Sequence, residues 1–238
     1  MSNSYFKFKR FTIHQDGCAM KVGTDGTLLG AWAHVPEISR KVRILDIGTG
    51  TGLIAMMMAQ RFTESQITGI DIDPEAVAQA RMNVELSPFS SQISILQADV
   101  RTFQTEEAFD AIISNPPYFV DSLTCPDNQR TTARHAISLS YSELMKVAFR
   151  LLSPEGTFSV VLPTDCRSKM EAEAHLAGFF LSRFFMVKTT PKKEAKRCLI
   201  EFTKRPVNEF VKEEGIIEIE PGKRSAWYQN LISDFYLK

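Results

Sequence analysis

Cysteine, histidine and long apolar runs are scarce in this 238-residue sequence, and each scarcity excludes a class of protein. The four cysteines lie far apart, at Cys18, Cys125, Cys166 and Cys198, with no CxxC spacing. The pattern therefore indicates neither a zinc site nor a disulfide framework. The four histidines form no HExxH pair, so we expect no catalytic metal.

No apolar run approaches the roughly 18 residues of a membrane span. The N-terminus, "MSNSYFKFKRF", lacks the apolar stretch and small-residue cleavage site of a secretory signal. We therefore expect a cytoplasmic protein with reduced thiols and no membrane partner. No obligate protein partner is evident either.

The formal net charge is zero, which is mildly against binding to nucleic acid, but the charges are unevenly distributed. Residues 188–205 carry seven lysines and arginines against two glutamates, and the next segment, "VNEFVKEEGIIEIE", is acidic. The neutral total therefore conceals a local basic cluster.

From Val42 onward the sequence alternates buried strands with helices. This alternation predicts right-handed crossovers and a mostly parallel sheet with helices on both faces. The expected strands cover 42–48, 66–72, 93–99, 109–115 and 156–163, and the expected helices cover 53–62, 74–86 and 140–152. Two further strands, at 178–189 and 196–204, should add an antiparallel hairpin to the edge of a seven-stranded sheet.

We expect one domain over 1–238. Its N-terminal extension, 1–41, combines a hairpin around Asp16-Gly17 with a short helix that Thr24 or Asp25 could cap. The core covers 42–205. The tail, 206–238, ends in a predicted amphipathic helix with the sequence "SAWYQNLISDFYLK".

The stretch "LDIGTGTGL" places Asp46, Gly48, Gly50 and Gly52 at a strand-to-helix turn. Glycines allow positive φ and close approach of a ligand to the backbone. The turn lies at the carboxyl end of the first core strand, where doubly wound folds bind ligands. We therefore expect a ligand-binding loop here.

Two ligand classes fit this loop. The run from Gly50 to Ala55 loosely matches a dinucleotide motif, with Asp71 about twenty residues on. Asp46, however, would repel a pyrophosphate and attract an ammonium or sulfonium group. Asp99, at the end of the third strand, could receive an adenine amine. These two acids favour a cationic, adenine-containing ligand.

The motifs "DIGTGTG", "GIDID", "QADV" and "NPPY", in this order, resemble those of class I S-adenosylmethionine-dependent methyltransferases over about 43–163. The resemblance implies a Rossmann-like fold and S-adenosylmethionine as cofactor. Asp46 and the glycines would then hold its methionine end.

By the same resemblance, Asp71, with Ile72 beside it, would bind the ribose hydroxyls. Asp99 and the Val100 backbone would meet the adenine. Asp73 is an alternative to Asp71, although a capping role ahead of Pro74 explains it better.

The motif Asn115–Tyr118, "NPPY", is typical of methyltransferases that act on a planar, conjugated nitrogen. Pro116 and Pro117 have no backbone N–H, so the end of this strand is rich in acceptors. The Asn115 oxygen and the Pro116 carbonyl could each accept one N–H of a substrate amine, and Tyr118 could stack on its ring. A nitrogen held in this way presents its lone pair to a methyl donor.

Across its length the chain resembles the bacterial tRNA1(Val) adenine-37 N6-methyltransferases. The resemblance is carried by "FKRFTIHQDGCAMKVGTDGTLLGAWA", "NPPYF", the segment after it and the ending "LISDFYLK". It implies that "MKVGTDGTLLGAW" folds over the cofactor, with Asp25 either contacting the methionine end or capping the helix. The implied partner is tRNA.

RNA contacts should come from positive charge around the site. The candidates are Arg130, Arg134, Lys192, Lys193 and Arg197.

Protein glutamine methylation and methylation of adenine in another RNA or in DNA are the enzymatic alternatives. The short extension argues against the first, and the lack of a visible target-recognition domain argues against a DNA enzyme. An inactive RNA-docking partner subunit is the alternative outside enzymes, but it would have no use for an intact NPPY motif.

Overall fold

The computed structural model describes residues 4–16, 21–117 and 139–237. Within these ranges it contains twelve strands and six α-helices. The strands are β1 (Tyr5–Lys7), β2 (Thr12–His14), β3 (Val42–Ile47), β4 (Ser65–Asp71), β5 (Ile93–Gln97), β6 (Phe109–Ser114), β7 (Leu152–Pro163), β8 (Phe180–Lys188), β9 (Arg197–Thr203), β10 (Val211–Ile216), β11 (Glu218–Glu220) and β12 (Lys223–Arg224). The helices are α1 (Thr24–Trp32), α2 (Leu53–Arg61), α3 (Pro74–Glu85), α4 (Tyr141–Leu151), α5 (Arg167–Ala177) and α6 (Ala226–Ile232).

Eight strands form the central sheet, in the order β10-β8-β9-β7-β6-β3-β4-β5. Strand β9 runs antiparallel to both of its neighbours, β7 and β8. The other pairs in this sheet are parallel. The mostly parallel sheet with an antiparallel C-terminal strand is therefore confirmed.

The sheet has one strand more than the seven expected. The additional strand, β10, pairs in parallel with β8 at the sheet edge. Its first four residues, Val211–Glu214, are exposed, so they lack the alternation of buried and polar side chains that identifies a strand in sequence. Helix α5 was also not expected; its stretch, 167–177, buries only Met170 and Ala174.

Helices cover both faces of the sheet. One apolar core contains residues of α1, α2 and α3 together with Phe8, Phe11 and Ile13 of the extension and Ile232 and Phe235 of the tail. The other core contains residues of α4 and α5. The extension and the tail thus share a core with the sheet.

The helix starts show how local sequence sets the fold. The side chain of Asp73 accepts a hydrogen bond from the Glu75 amide at 2.9 Å, with Pro74 in the first turn, which confirms the expected cap of α3. Helix α1 is different, because it begins after Gly23 without a side-chain cap. The expectation that Thr24 or Asp25 caps α1 is therefore wrong.

The two ends of the chain also depart from expectation. Strands β1 and β2 pair through a turn at Phe8–Phe11, where the Phe8 amide donates to the Phe11 carbonyl, and not around Asp16. Gly17 lies outside the described residues. Helix α6 ends at Ile232, before the end of the amphipathic pattern, since the next residues turn back so that Tyr236 bridges to Phe8.

Close packing sets α1 beside the end of β6. A Cβ atom on Gly30 would lie 2.8 Å from the sulfur of Met57, so α1 lies against α2 at a distance that only glycine allows. A Cβ atom on Gly26 would lie 3.2 Å from Leu53 and 4.0 Å from the Asn115 amide nitrogen. The first turn of α1 therefore borders the Asn-Pro-Pro segment.

The C-terminal end of α1 is held by Arg61 of α2. Its guanidinium donates to the carbonyl oxygens of Gly30 at 2.9 Å and Ala33 at 2.7 Å. Carbonyls at this end of a helix have no amide donor within the helix. Burial, with repulsion from Arg183, lowers the pKa of Arg61 to about 10. Within the described ranges no helix is both long and apolar enough to cross a membrane.

We predict that Arg61→Met destabilises the protein by about 1–3 kcal/mol, because it leaves two helix-end carbonyls without donors while keeping the apolar stem. Lys146→Met, on the solvent side of α4, is the matched control and should change stability by less than about 0.5 kcal/mol. Urea unfolding followed by circular dichroism measures both. Equal effects of the two variants would contradict this role for Arg61.

Candidate cofactor and acceptor site

The candidate residues follow strands that end at one edge of the sheet. In the spatial order β6-β3-β4-β5, these ends bring Asn115, the loop after Asp46, Asp71 and Asp99 into a row. The carboxyl edge of a parallel sheet is where such folds bind ligands. The Asn-Pro-Pro segment, called the acceptor motif below, thus lies next to the glycine loop. Asp71 and Asp99 lie beyond that loop.

The loop between β3 and α2 depends on positive φ. Gly48, Gly50 and Gly52 have φ of 71°, 54° and 81°. A Cβ atom on Gly48 would meet nothing within 4 Å, so the space in front of the loop is open. Asp71 supports the loop from the next strand, since its carboxylate accepts from the Gly50 amide at 2.9 Å.

Asp46 is a buried carboxylate with an incomplete set of partners. Only 1% of its surface is exposed, and one oxygen accepts from the Thr49 hydroxyl at 2.7 Å. The other oxygen, Oδ1, has no hydrogen-bond partner among the residues that the structure describes. Burial raises the pKa of Asp46 to about 7, against the lowering effects of Thr49 and the Ala55 amide.

A cationic donor would complete this site. An unpartnered buried carboxylate oxygen is costly, and an ammonium group would both donate to it and stabilise its charge. Together with the open space before Gly48, this oxygen fits the methionine end of S-adenosylmethionine. Among the described residues no group of three or more His, Cys, Asp or Glu is placed to hold a metal ion.

Asn83 of α3 braces the glycine loop, although no pattern in the sequence indicates this role. Its side chain is fully buried and accepts from the His14 amide at 2.8 Å. It donates to the carbonyls of His14 at 2.8 Å and Thr51 at 3.0 Å. One side chain therefore ties the N-terminal extension to the loop.

The edge of the sheet beyond the loop offers both polar and apolar groups. Asp71 uses one oxygen for Gly50 and the other for the Asp73 amide at 3.1 Å, and each oxygen keeps further lone pairs. Ile72, which follows it, is 42% exposed. An exposed isoleucine next to a fixed carboxylate suits a nucleoside, whose ring needs apolar cover.

Asp99 is held by a partner that sequence reasoning missed. The Arg101 guanidinium donates to both oxygens of Asp99, at 2.7–2.9 Å, and the Arg101 amide adds a bond at 2.9 Å. These bonds lower the pKa of Asp99. The neighbouring Val100 is buried, and its carbonyl accepts from Arg150 at 3.2 Å.

The acceptor motif begins where β6 ends. The buried Ser114 hydroxyl donates to the Ile47 carbonyl at 2.9 Å, which fixes this end of β6 against β3. Asn115 is half-buried, Pro116 is buried and Pro117 is exposed. Tyr118, predicted to stack on the substrate, lies outside the described residues, as do Arg130 and Arg134.

Asp25 and Arg197, for which the sequence suggested separate roles, form an ion pair. The Arg197 Nε donates to Asp25 Oδ2 at 2.8 Å, and the side chains are 35% and 21% exposed. The pair joins α1 to the start of β9. Asp25 thus orients towards the C-terminal half of the sheet.

Lys192 and Lys193 lie in the loop between β8 and β9. Strand β8 runs parallel to β7, so this loop leaves the sheet at the same edge as the acceptor motif. Both lysines are exposed, and neither forms an ion pair in the described part of the chain. Lys188, by contrast, pairs with Glu214 at 3.0 Å.

Comparison with known proteins agrees with this fold. Residues 27–192 match the family model of the methyltransferase small domain. Among solved structures, a predicted O-methyltransferase from Agrobacterium tumefaciens aligns with a TM-score of 0.67 at 21% identity, covering 89% of this chain and 96% of the other. A class I S-adenosylmethionine-dependent methyltransferase from Listeria monocytogenes, described as putative, aligns with a TM-score of 0.59 at 16% identity, covering 79% and 62%. These structures share the fold.

Curated relatives extend the match to the whole chain. A tRNA1(Val) (adenine(37)-N6)-methyltransferase from Bacteroides thetaiotaomicron is 46% identical over all of this chain and 99% of the relative. Proteins of the same name from Phocaeicola vulgatus and Serratia proteamaculans are 48% and 40% identical, covering 100% and 98% of this chain and 99% and 89% of theirs. The chain therefore belongs to the tRNA1(Val) (adenine(37)-N6)-methyltransferase family, a group of class I enzymes that use S-adenosylmethionine.

Proposed function

We propose that this protein methylates N6 of adenine 37 in the anticodon loop of tRNA1(Val). The observation that carries the proposal is the position of the Asn-Pro-Pro segment, on the strand next to the buried, unpartnered oxygen of Asp46. N6 methylation needs such an arrangement, with an amine-holding motif beside a site for a cationic methyl donor. The names of relatives that match the whole chain support the choice of substrate.

The row of side chains suggests how the cofactor is held. Asp46 and the glycines, Gly48, Gly50 and Gly52, would bind its methionine end. Asp71 would accept from the ribose hydroxyls, with Ile72 against the sugar and base. Asp99 and the Val100 backbone would meet the adenine. The order of the strand ends, β3, β4 and β5, matches the order of these three parts of the cofactor.

S-adenosylmethionine supplies an electrophilic methyl group on a sulfonium. The exocyclic nitrogen of adenine is a poor nucleophile, because its lone pair is delocalised into the ring. The Asn115 side-chain oxygen and the Pro116 carbonyl would each accept one N–H of this amine and hold it for in-line attack. They would also stabilise the positive charge that develops on nitrogen as it gains the methyl carbon and the carbon–sulfur bond of the sulfonium breaks. The nitrogen would then lose one proton to solvent.

Pro117 would keep this rim free of competing donors, since it also lacks an N–H. Tyr118 would stack on the adenine once the base has left its own stack, as aromatic residues do in other enzymes that act on bases. An anticodon loop offers unstacked bases, which lowers the cost of presenting one.

Asp25 is proposed to contact the methionine end of the cofactor. Arg197, which donates to Asp25, would hold α1 over the site and contact a tRNA phosphate. The exposed Lys192 and Lys193 would contact the tRNA backbone, together with Arg130 and Arg134. The loop that carries Lys192 and Lys193 leaves the sheet at the mouth of the proposed site.

The test is methyl transfer from labelled S-adenosylmethionine to tRNA from a strain that lacks this protein. Digestion to nucleosides should yield labelled N6-methyladenosine, and tRNA1(Val) with adenine 37 replaced by guanine should accept no label. Label on protein glutamine, or on adenine in DNA or in another RNA but not in tRNA, would overturn the proposal.

We predict opposite effects from Asn115→Ala and Asp71→Ala. The first should lower kcat by about a hundredfold or more and leave S-adenosylmethionine affinity nearly unchanged, because Asn115 faces the acceptor. The second should weaken cofactor binding at least about tenfold, because it removes a charged acceptor. Calorimetry and single-turnover kinetics separate the two, and loss of cofactor binding in Asn115→Ala would contradict the assignment.

We predict that cofactor binding releases protons near neutral pH. In the free protein, burial raises the pKa of Asp46 to about 7, so the carboxyl is partly protonated there. A bound ammonium favours the ionised form and lowers this pKa, so affinity should fall as pH drops below about 7. Calorimetry in buffers of different ionisation enthalpy measures the release, and in Asp46→Asn it should disappear. Equal release in both proteins would contradict a contact at Asp46.

We predict that Lys192→Gln with Lys193→Gln weakens tRNA binding and lowers the slope of log K against log salt by about 1 to 2, as expected for one or two lost phosphate contacts. Lys41→Gln with Lys212→Gln removes the same charge from exposed positions near the opposite edge of the sheet. This control should leave the slope unchanged. Equal slopes for the two double variants would place the RNA elsewhere.

A further inference from the structure

The loop after β5 contains a fixed pair of opposite charges that the proposed chemistry does not use directly. Arg101 approaches Asp99 side-on, with Nε within 2.9 Å of both carboxylate oxygens and Nη2 within 2.7 Å of Oδ2. Such a two-point contact fixes the plane of the carboxylate as well as its position. Both side chains are 31% exposed, so neither is needed to fill the core.

Arg101 also connects this loop to the start of α4. Its Nη1 lies 3.6 Å from Oε1 of Glu143. Glu143 in turn closes the capping box of α4, where its carboxylate accepts from the Ser140 amide at 2.9 Å. In the chain, helix α4 comes after the Asn-Pro-Pro motif.

The far end of α4 holds the same loop. Arg150 donates to the carbonyl oxygens of Val100, Arg101 and Phe103 at 2.6–3.2 Å. The loop from Asp99 to Phe103 is therefore tied to both ends of one helix. A carboxylate held in this manner cannot rotate freely to suit different ligands.

We propose that Arg101 is a positioning residue, which orients the carboxylate of Asp99 so that it selects the 6-amino group of the cofactor's adenine. This inference rests on the proposed role of Asp99. Each carboxylate oxygen offers more than one lone pair, so the contact with Arg101 leaves acceptor sites for an amine. A ring with a 6-oxo group presents an acceptor there, which an ionised carboxylate repels.

Arg101 supports this selection in a second way. Its guanidinium lowers the pKa of Asp99, which opposes the rise that cover by a bound adenine would cause and so keeps the carboxylate ionised and acceptor-only. A protonated carboxyl could donate to a 6-oxo group and would lose the selection. Geometry and charge thus act in the same direction.

The experiment compares binding of S-adenosylhomocysteine and S-inosylhomocysteine, which differ in the 6-amino or 6-oxo group and in the hydrogen that the oxo form carries on N1. Calorimetry on the wild-type protein should show preference for the amino form. Arg101→Met should reduce this preference about tenfold, mainly by weakening the amino form, since a hydrogen bond to a charged group is worth about that factor. Arg101→Lys keeps the charge without the planar contact and should fall between.

Two further variants make the outcome decisive. Arg43→Met removes another arginine that pairs with a carboxylate, Glu107 at 3.0 Å, where β3 begins at the opposite edge of the sheet, and should leave the preference unchanged. Asp99→Asn tests the underlying role and should abolish the preference. Thermal unfolding without ligand confirms that each variant is folded.

An unchanged preference in both Arg101 variants, with loss in Asp99→Asn, would overturn the inference and leave the role of Asp99 standing. Equal weakening of both ligands in Arg101→Met would also overturn it, because Arg101 would then only support the loop. An unchanged preference in Asp99→Asn would overturn the proposed adenine contact itself.

Discussion

The buried carboxylate of Asp46 is the constraint around which the edge of the sheet is arranged. Burial of a carboxylate without a full set of hydrogen bonds raises the free energy of the folded state. This destabilisation occurs where the cofactor's cation is proposed to bind. The surrounding parts keep this group available. Three glycines at positive φ shape the loop beside it, and Asp71 fixes that loop from the adjacent strand.

Elements outside the sheet also hold the site in place. Asn83 ties the extension to the glycine loop, and the pair of Asp25 with Arg197 ties α1 to β9. Arg61 fixes the far end of α1, whose first turn borders Asn115. Such supports allow reactive groups to keep their geometry without being buried in the core.

Most strands of the sheet could be predicted from the sequence, because the central strands are buried on both faces and end in recognisable loops. It also reached the cap at Asp73, since a local hydrogen bond decides that feature. It missed β10, whose exposed edge residues carry no pattern. The partners of Asp25 and Asp99 were not predicted, for different reasons. Arg197 is distant in the chain from Asp25, and Arg101, two residues after Asp99, has no sequence pattern that separates it from an ordinary surface charge.

The contacts of the extension have a consequence for the order of folding. Lys9 bonds to the carbonyl of Ser233, 224 positions away, and its amide bonds to Phe235. Phe8, which stacks on Tyr236, is therefore synthesised long before the tail that covers it. Until then part of its ring is exposed, and exposed aromatic surface favours aggregation in nascent chains. The extension, which Asn83 ties to the glycine loop, therefore gains its last contacts only when the tail is complete.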